Sequence, residues 1–181
     1  NIILRPGYPD FLDLPWGLPL EDWQPHTSRL EEVSRGLSRH PVVFVNYEGR
    51  LFALKELPVG TGEQEYDLIS HIEELRVPCV SPVGHALTHT PQGEFSVLIT
   101  RFLDHSLPIR NLFAQSGLVS YRSHLLDAIA GLLVQLHLAG VYWGDCSLSN
   151  TLFRRDAGAL SAYLVDAETA EIYENGIPPA I

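Results

Sequence analysis

The sequence predicts an α+β fold in two lobes, and three features carry that prediction. Up to Arg101 the apolar residues fall in short strand-like runs around one helical stretch. After Arg101 the pattern turns helical. A small hairpin then follows the longest helix. Strands and helices segregated in this way argue for a strand-rich half and a helix-rich half meeting near Arg101–Asp104. The expected organisation is an irregular arm over 1–29, a first lobe over 30–103 and the first part of a second lobe over 104–181.

The arm holds five of thirteen prolines and two of three tryptophans without a sustained period. Its aromatics need cover, so it reads as packed rather than disordered. Strands are expected at Leu30–Val33 and Val42–Tyr47, with Glu48-Gly49 turning tightly into Leu51–Lys55. Gly62 precedes a helix from Glu63 to Arg76, whose Leu68, Ile69, Ile72 and Leu75 share a face. Pro78 and Pro82 break the chain. Val83–Thr88 and Phe95–Thr100 read as strands joined by the turn His89 to Gly93.

In the second half a short helix is expected around Ile109–Ala114 and a long one from Tyr121 to Ala139. The long helix aligns Leu125, Leu126, Ile129, Leu132, Leu133 and Leu136, and Gly140 caps it. His137 near its end reads as a core histidine. Thr151–Phe153 and Ala162–Val165 bracket the turn Asp156-Ala157-Gly158.

Composition narrows function. A formal charge of −10, with no basic run longer than Arg154-Arg155, argues against nucleic-acid binding through phosphates. Two cysteines, Cys79 and Cys146, make neither a disulfide framework nor a metal site and fit a reducing cytoplasm. The apolar stretch from Ala128 to Trp143 is interrupted by Gln135 and His137 and falls short of a membrane span. No signal peptide is evident in the first residues, Asn1 to Pro6. The absence of any methionine predicts a piece of a longer protein, and Asn175 to Ile181 reads as a loop cut open.

The chemistry concentrates in Trp143-Gly144-Asp145-Cys146-Ser147-Leu148-Ser149-Asn150 and in Asp166, sixteen residues further on. Ninety residues earlier stands Lys55, the single lysine against eleven arginines, closing the apolar run Leu51 to Leu54. A strand lysine, then Asp-x-x-x-x-Asn, then a strand-end Asp is the order in which kinase-type phosphotransferases lay out a nucleotide site. Mg²⁺ wants hard oxygen ligands, a role that suits Asn150 and Asp166. Asp145 is then left to orient a substrate hydroxyl and accept its proton. Lys55 suits the nucleotide's phosphates, and Glu65, on the helix face of Leu68, Ile69 and Ile72, is the expected partner of its charge. The plainer alternatives make Asp145 and Asn150 loop caps, Asp166 a solvated strand end and Lys55 a surface lysine. They leave the ordered coincidence unexplained.

Other candidates are weaker. Gly36, with the amides of Arg35–Ser38, is the only trace of a glycine-rich phosphate loop, and an ordinary hairpin loop explains it equally. Glu168 and Glu171 could add a metal ligand but read better as exposed acids, as do Glu63, Glu73 and Glu74. Cys146 reads as a passive small residue.

These residues resemble the protein-kinase-like superfamily over roughly 30 to 170. The matching pieces are Ala53-Leu54-Lys55, the helix partner Glu65, Gly144-Asp145 to Asn150 as catalytic loop and Val165-Asp166 as metal site. Thr100-Arg101-Phe102-Leu103 corresponds to gatekeeper and hinge, which implies contact with the nucleotide. The closest flavour is that of bacterial lipopolysaccharide-core kinases, RIO-type kinases and aminoglycoside phosphotransferases. The wording from Trp143 to Leu160 looks like an uncharacterised bacterial domain-of-unknown-function family in that group. The resemblance implies ATP and Mg²⁺ as cofactors and a hydroxyl acceptor that is non-protein or atypical.

Three departures separate the chain from protein kinases. Trp143 replaces the usual His or Tyr, Ser147 stands where a lysine is usual, and Asp166-Ala167-Glu168 replaces D-F-G. The nearly absent glycine loop and Trp143 favour a second reading, which the intact set of Lys55, Asp145, Asn150 and Asp166 opposes: a pseudokinase-like module that binds nucleotide or a partner without transferring phosphate. A third reading, an acid-pair hydrolase using Asp145 and Asp166, explains neither Lys55 nor Asn150.

Overall fold

Strand β2 (Val42–Tyr47) and strand β3 (Arg50–Leu57) are rich in branched and aromatic residues, and Glu48 and Gly49, both at positive φ, turn one into the other. The structure is a computed structural model that describes residues 1–33, 39–106, 118–174 and 176–177. They divide into two units. The first takes in 1–33, 39–70 and 81–102; the second takes in 71–80, 103–106 and the described residues from 118 onward.

In the first unit, β1 (Ile2–Leu4), β4 (Ser81–Thr90) and β5 (Gly93–Arg101) join β2 and β3 in an antiparallel sheet ordered β1-β4-β5-β3-β2. β4 and β5 run longer than their apolar cores suggest, because the ladder continues from Ser81–Arg101 to Thr90–Gly93. The proline-rich arm supplies the apolar layer on one face. Phe11, Leu14, Leu20 and Trp23 are buried with Phe52, Leu54, Val97 and Ile99.

Two features of this unit differ from the sequence expectation. Ile2–Leu4 pairs with Gly84–Ala86 as a strand, although three residues are too few to show a period. Leu30–Val33 is no full strand: Leu30 makes one bridge to Val45, and the amides of Glu31 and Asn46 complete the contact. That segment is anchored by side chains instead. Arg29 bonds Asp13 at 2.7 Å and lies 4.0 Å over the Tyr47 ring, while the Tyr47 hydroxyl donates to Asp13.

Helix α1 (Thr61–Glu74) covers the other sheet face near its start. It begins at Thr61, earlier than expected, and Gly62 in its first turn lies against Ser96, where any Cβ would collide with the serine hydroxyl. It ends earlier too. Arg76 takes a left-handed φ, and the amides of Arg76 and Val77 bond back to Glu73 and Ile72, closing the helix in a Schellman motif. Ile69 and Ile72 are fully buried, whereas Leu75, beyond the helix end, is 40% exposed.

Glu56, on the arm side of β3, is buried and accepts the Leu20 amide at 3.1 Å. Burial pushes its carboxyl pKa up; the Leu20 bond lowers it, and the Glu21 and Asp22 charges add to the rise. The folded state therefore holds this proton more tightly than the unfolded chain does. That stabilisation is whole below the unfolded carboxyl's pKa and is lost as pH rises through the folded value. Glu56→Gln keeps an acceptor for Leu20, so urea midpoints should fall less between about pH 4 and pH 7 than in the parent. Identical pH dependence in the two proteins would refute the assignment.

The second unit centres on α2 (Leu118–Leu138), which packs against β8 (Ala159–Leu164) and β6 (Val141–Trp143). Leu125, Leu132 and Leu136 are buried; Leu126 of the same expected face is 59% exposed, and His137 is exposed rather than in the core. Gly140 takes a left-handed φ after the helix and receives the Tyr173 amide at 2.8 Å. β7 (Thr151–Asp156) and β8 form a hairpin whose turn, Ala157-Gly158, has positive φ at both residues. β6 pairs with β9 (Ala170–Ile172), two three-residue strands without a readable sequence signal. Residues 77–80 join this unit through mutual bonds with Leu164. The short helix expected at Ile109–Ala114 and the loop around Gly36 lie outside the described residues. No helix among the described residues is long and apolar enough to cross a membrane.

Candidate functional site

In the first unit β3 carries Lys55. Strand alternation sends Phe52, Leu54 and Glu56 into the arm side, so Lys55 projects to the face that α1 covers. Its Nζ meets Glu65 Oε2 at 3.1 Å and Oε1 at 3.3 Å. The side chains are 12% and 1% exposed, so a nearly dry cation is matched by a dry anion. Helix phase alone selects Glu65 over Glu63 and Glu74, which are exposed, and Glu73, which is half-buried.

The end of β5 sets out the next four candidates. Thr100 is buried beside Ala53 and Pro82 in the ladder, and Arg101 is the last rung, paired with Phe52 and Ser81. Phe102 stands edge-on to Phe44 with centroids 5.4 Å apart and donates its amide to Leu51 O at 2.9 Å. Leu103 is half-buried and accepts the Ser106 amide at 3.2 Å.

The second unit holds Asp145, Asn150 and Asp166. β6 leads straight into the loop, and a 3-10 turn at Leu148–Asn150 returns it to β7. Asn150 Nδ2 donates to the main-chain oxygen of Asp145 at 3.2 Å and to its Oδ2 at 3.3 Å. That orientation directs the donor end of the amide at Asp145 and leaves Oδ1 as its hard-oxygen end. Asn150 O also accepts the Val165 amide at 3.1 Å, joining the loop to the segment that carries Asp166. The Trp143 indole, buried, donates to Asp166 O at 2.9 Å, and Asp166 Oδ1 accepts the Glu168 amide at 3.1 Å. Trp143, a departure in the sequence, is thus a direct tie between the two acidic segments.

The lesser candidates are placed as well. Glu168 and Glu171 are exposed, and Glu171 accepts the Tyr173 hydroxyl at 2.6 Å. Desolvation and then the Asp145 charge push the Cys146 thiol pKa up, which favours the unreactive protonated form. Thr169 is the residue that sequence reasoning missed. Its hydroxyl accepts the Asp145 amide at 2.8 Å from 24 residues away, a separation that no local pattern reveals.

The sequence profile of the lipopolysaccharide kinase (Kdo/WaaP) family matches residues 50–174. The chain belongs to that family. The matched span contains Lys55, Glu65, the Thr100–Leu103 stretch, Asp145, Asn150 and Asp166, while β2 lies before it. A solved structure described as WaaP in complex with acyl carrier protein matches with a TM-score of 0.58 at 20% identity. The match covers 80% of this chain and 64% of that one, so the chain spans less than two thirds of its relative's length. The fold is therefore the α+β protein-kinase-like fold. No curated protein matches the chain.

Proposed function

We propose that the protein is an ATP- and Mg²⁺-dependent phosphotransferase that passes a γ-phosphate to a sugar hydroxyl of the lipopolysaccharide core. The observation that carries this reading is the ion pair between the chain's single lysine and buried Glu65, inside the span matched by a lipopolysaccharide kinase family. A buried pair of this kind contributes little net stability over apolar residues, so a role in ligand binding explains it better than a role in folding.

The residues suit nucleotide and metal by their donor chemistry. Asn150 Oδ1 and the Asp166 carboxylate are hard oxygens of the kind Mg²⁺ takes, and Lys55 is a compact cation for phosphate oxygens. Bound Mg-ATP would supply the phosphoryl group and neutralise its charge. Asp145, steadied by Asn150, would orient the acceptor hydroxyl and take its proton. Thr100, Arg101, Phe102 and Leu103 would contact the base. The Phe102 amide is already committed to Leu51, which leaves pairing with the adenine edge to the Leu103 amide.

The test is thermal unfolding of the full-length protein with and without Mg-ATP, beside transfer of labelled γ-phosphate to Kdo-terminated lipopolysaccharide. A ligand at about a hundred times its Kd adds about 2.7 kcal/mol, several degrees in Tm for a domain this size. A Mg-dependent rise with label in the glycan is expected. A rise without transfer to any hydroxyl would favour the pseudokinase reading, which rests on the weak glycine loop and Trp143 in the sequence. No rise in a folded sample would refute the nucleotide site.

A further inference from the structure

We propose that Thr169 is a positioning residue that fixes the main chain of Asp145. The inference rests on the reading of Asp145 as the base, and it adds a device for holding that base still. β6 and β9 pair in register from Val141–Ile172 to Trp143–Ala170, and the ladder runs one rung further, where the Gly144 amide meets Thr169 O at 3.2 Å. At the next step the ladder would end and leave the Asp145 amide without a strand partner. The Thr169 hydroxyl takes it instead, at 2.8 Å.

Gly144 makes this approach possible. A Cβ there would stand 2.9 Å from Thr169 O and 3.6 Å from its hydroxyl, so a side chain would push the two segments apart. Glycine before the acidic residue is therefore a packing requirement of this loop. Asp145 is then held at three atoms: its amide by Thr169, its carbonyl oxygen and Oδ2 by Asn150.

Thr169 also belongs to the Asp166 segment. The Ala170 amide turns back to Ala167 O at 2.9 Å, and the Trp143 indole holds Asp166 O. One stretch of five residues, 166–170, thus carries a candidate metal ligand at one end and the clamp on the base at the other. A shift of the second acidic segment moves the first. Misplacement of a catalytic group by about 1 Å can cost about a hundredfold in rate, which is the scale on which such a clamp matters.

The experiment compares Thr169→Val, which keeps shape and loses the hydroxyl, with Thr169→Ser, which keeps the hydroxyl. In the nucleotide-free full-length protein, amide hydrogen exchange at Asp145 should speed up in the Val variant and return to the parent rate in the Ser variant. Steady-state Mg-ATP turnover should follow, with kcat lowered about tenfold by Val at an unchanged KM for ATP and restored by Ser. Unchanged Asp145 exchange in the Val variant overturns the proposal, as does a Ser variant that restores neither exchange nor kcat. Should the Val variant not fold, Thr169→Ala against Thr169→Ser gives the same comparison. Asp145→Asn run alongside separates the two readings: parental turnover there refutes the base, while the exchange result still decides the clamp.

Discussion

Asp145→Asn should leave Mg-ATP binding intact and lower phosphate transfer by about 10²- to 10⁴-fold, the usual worth of a general base. The amide has nearly the carboxylate's shape, its carbonyl oxygen can still accept from Asn150 Nδ2, and the main-chain bonds of residue 145 do not involve the side chain. What disappears is basicity. Asp166→Asn should do the reverse, weakening Mg-ATP binding first. It removes an anionic oxygen while the Trp143 bond to the main chain of residue 166 persists. Calorimetric titration of each variant with Mg-ATP, beside turnover at saturating nucleotide, separates the two roles. Parental binding and parental turnover in both variants would sink the assignment of this loop.

Several placements around these residues are legible in the sequence because each depends on a short-range rule. Glu65 follows from helix phase, and Lys55 facing away from the arm follows from alternation along β3. The β7–β8 hairpin follows from its Ala157-Gly158 turn. What sequence reasoning misses is set by distant partners. β1, β6 and β9 have three residues each, and their pairing is decided by Gly84–Ala86 and by one another rather than by any pattern of their own. Leu30 has the apolar character of a strand residue, yet the segment around it is fixed by Arg29, Asp13 and Tyr47. The long helix shows the limit of periodicity: six residues share the expected face, but contact with β6 and β8 buries only part of it. Thr169 has no signature at all, since its hydroxyl matters only because Gly144 lets the Asp145 segment come close.

Trp143 carries a different meaning in the sequence and in the structure. Read in the sequence it is a substitution that favours loss of activity; in the structure its indole N–H donates to the Asp166 carbonyl while its side chain is buried. An imidazole could make the same bond with less apolar area, so the replacement exchanges a titratable group for one that donates at every pH. The departure from the usual triplet therefore preserves the tie between the acidic segments, and it weighs less against catalysis than the sequence alone implies.

Lys55→Met should abolish the Mg-ATP-dependent rise in Tm and also destabilise the nucleotide-free protein by about 3–5 kcal/mol, because breaking a buried pair takes the matched cation from a dry charge. Here that charge is Glu65, with a side chain only 1% exposed. The two effects have different origins, and a second variant separates them. Adding Glu65→Leu to Lys55→Met replaces the pair with apolar side chains of similar bulk, which commonly recovers the lost stability. The double variant should therefore unfold near the parent's temperature and still show no response to Mg-ATP, placing the lysine's value in the ligand rather than in the fold. Urea unfolding of the parent and both variants, each with and without Mg-ATP, measures both quantities. A Lys55→Met protein as stable as the parent and equally responsive to nucleotide would show that neither the burial of Glu65 nor the lysine's isolation in the composition has the meaning given to it.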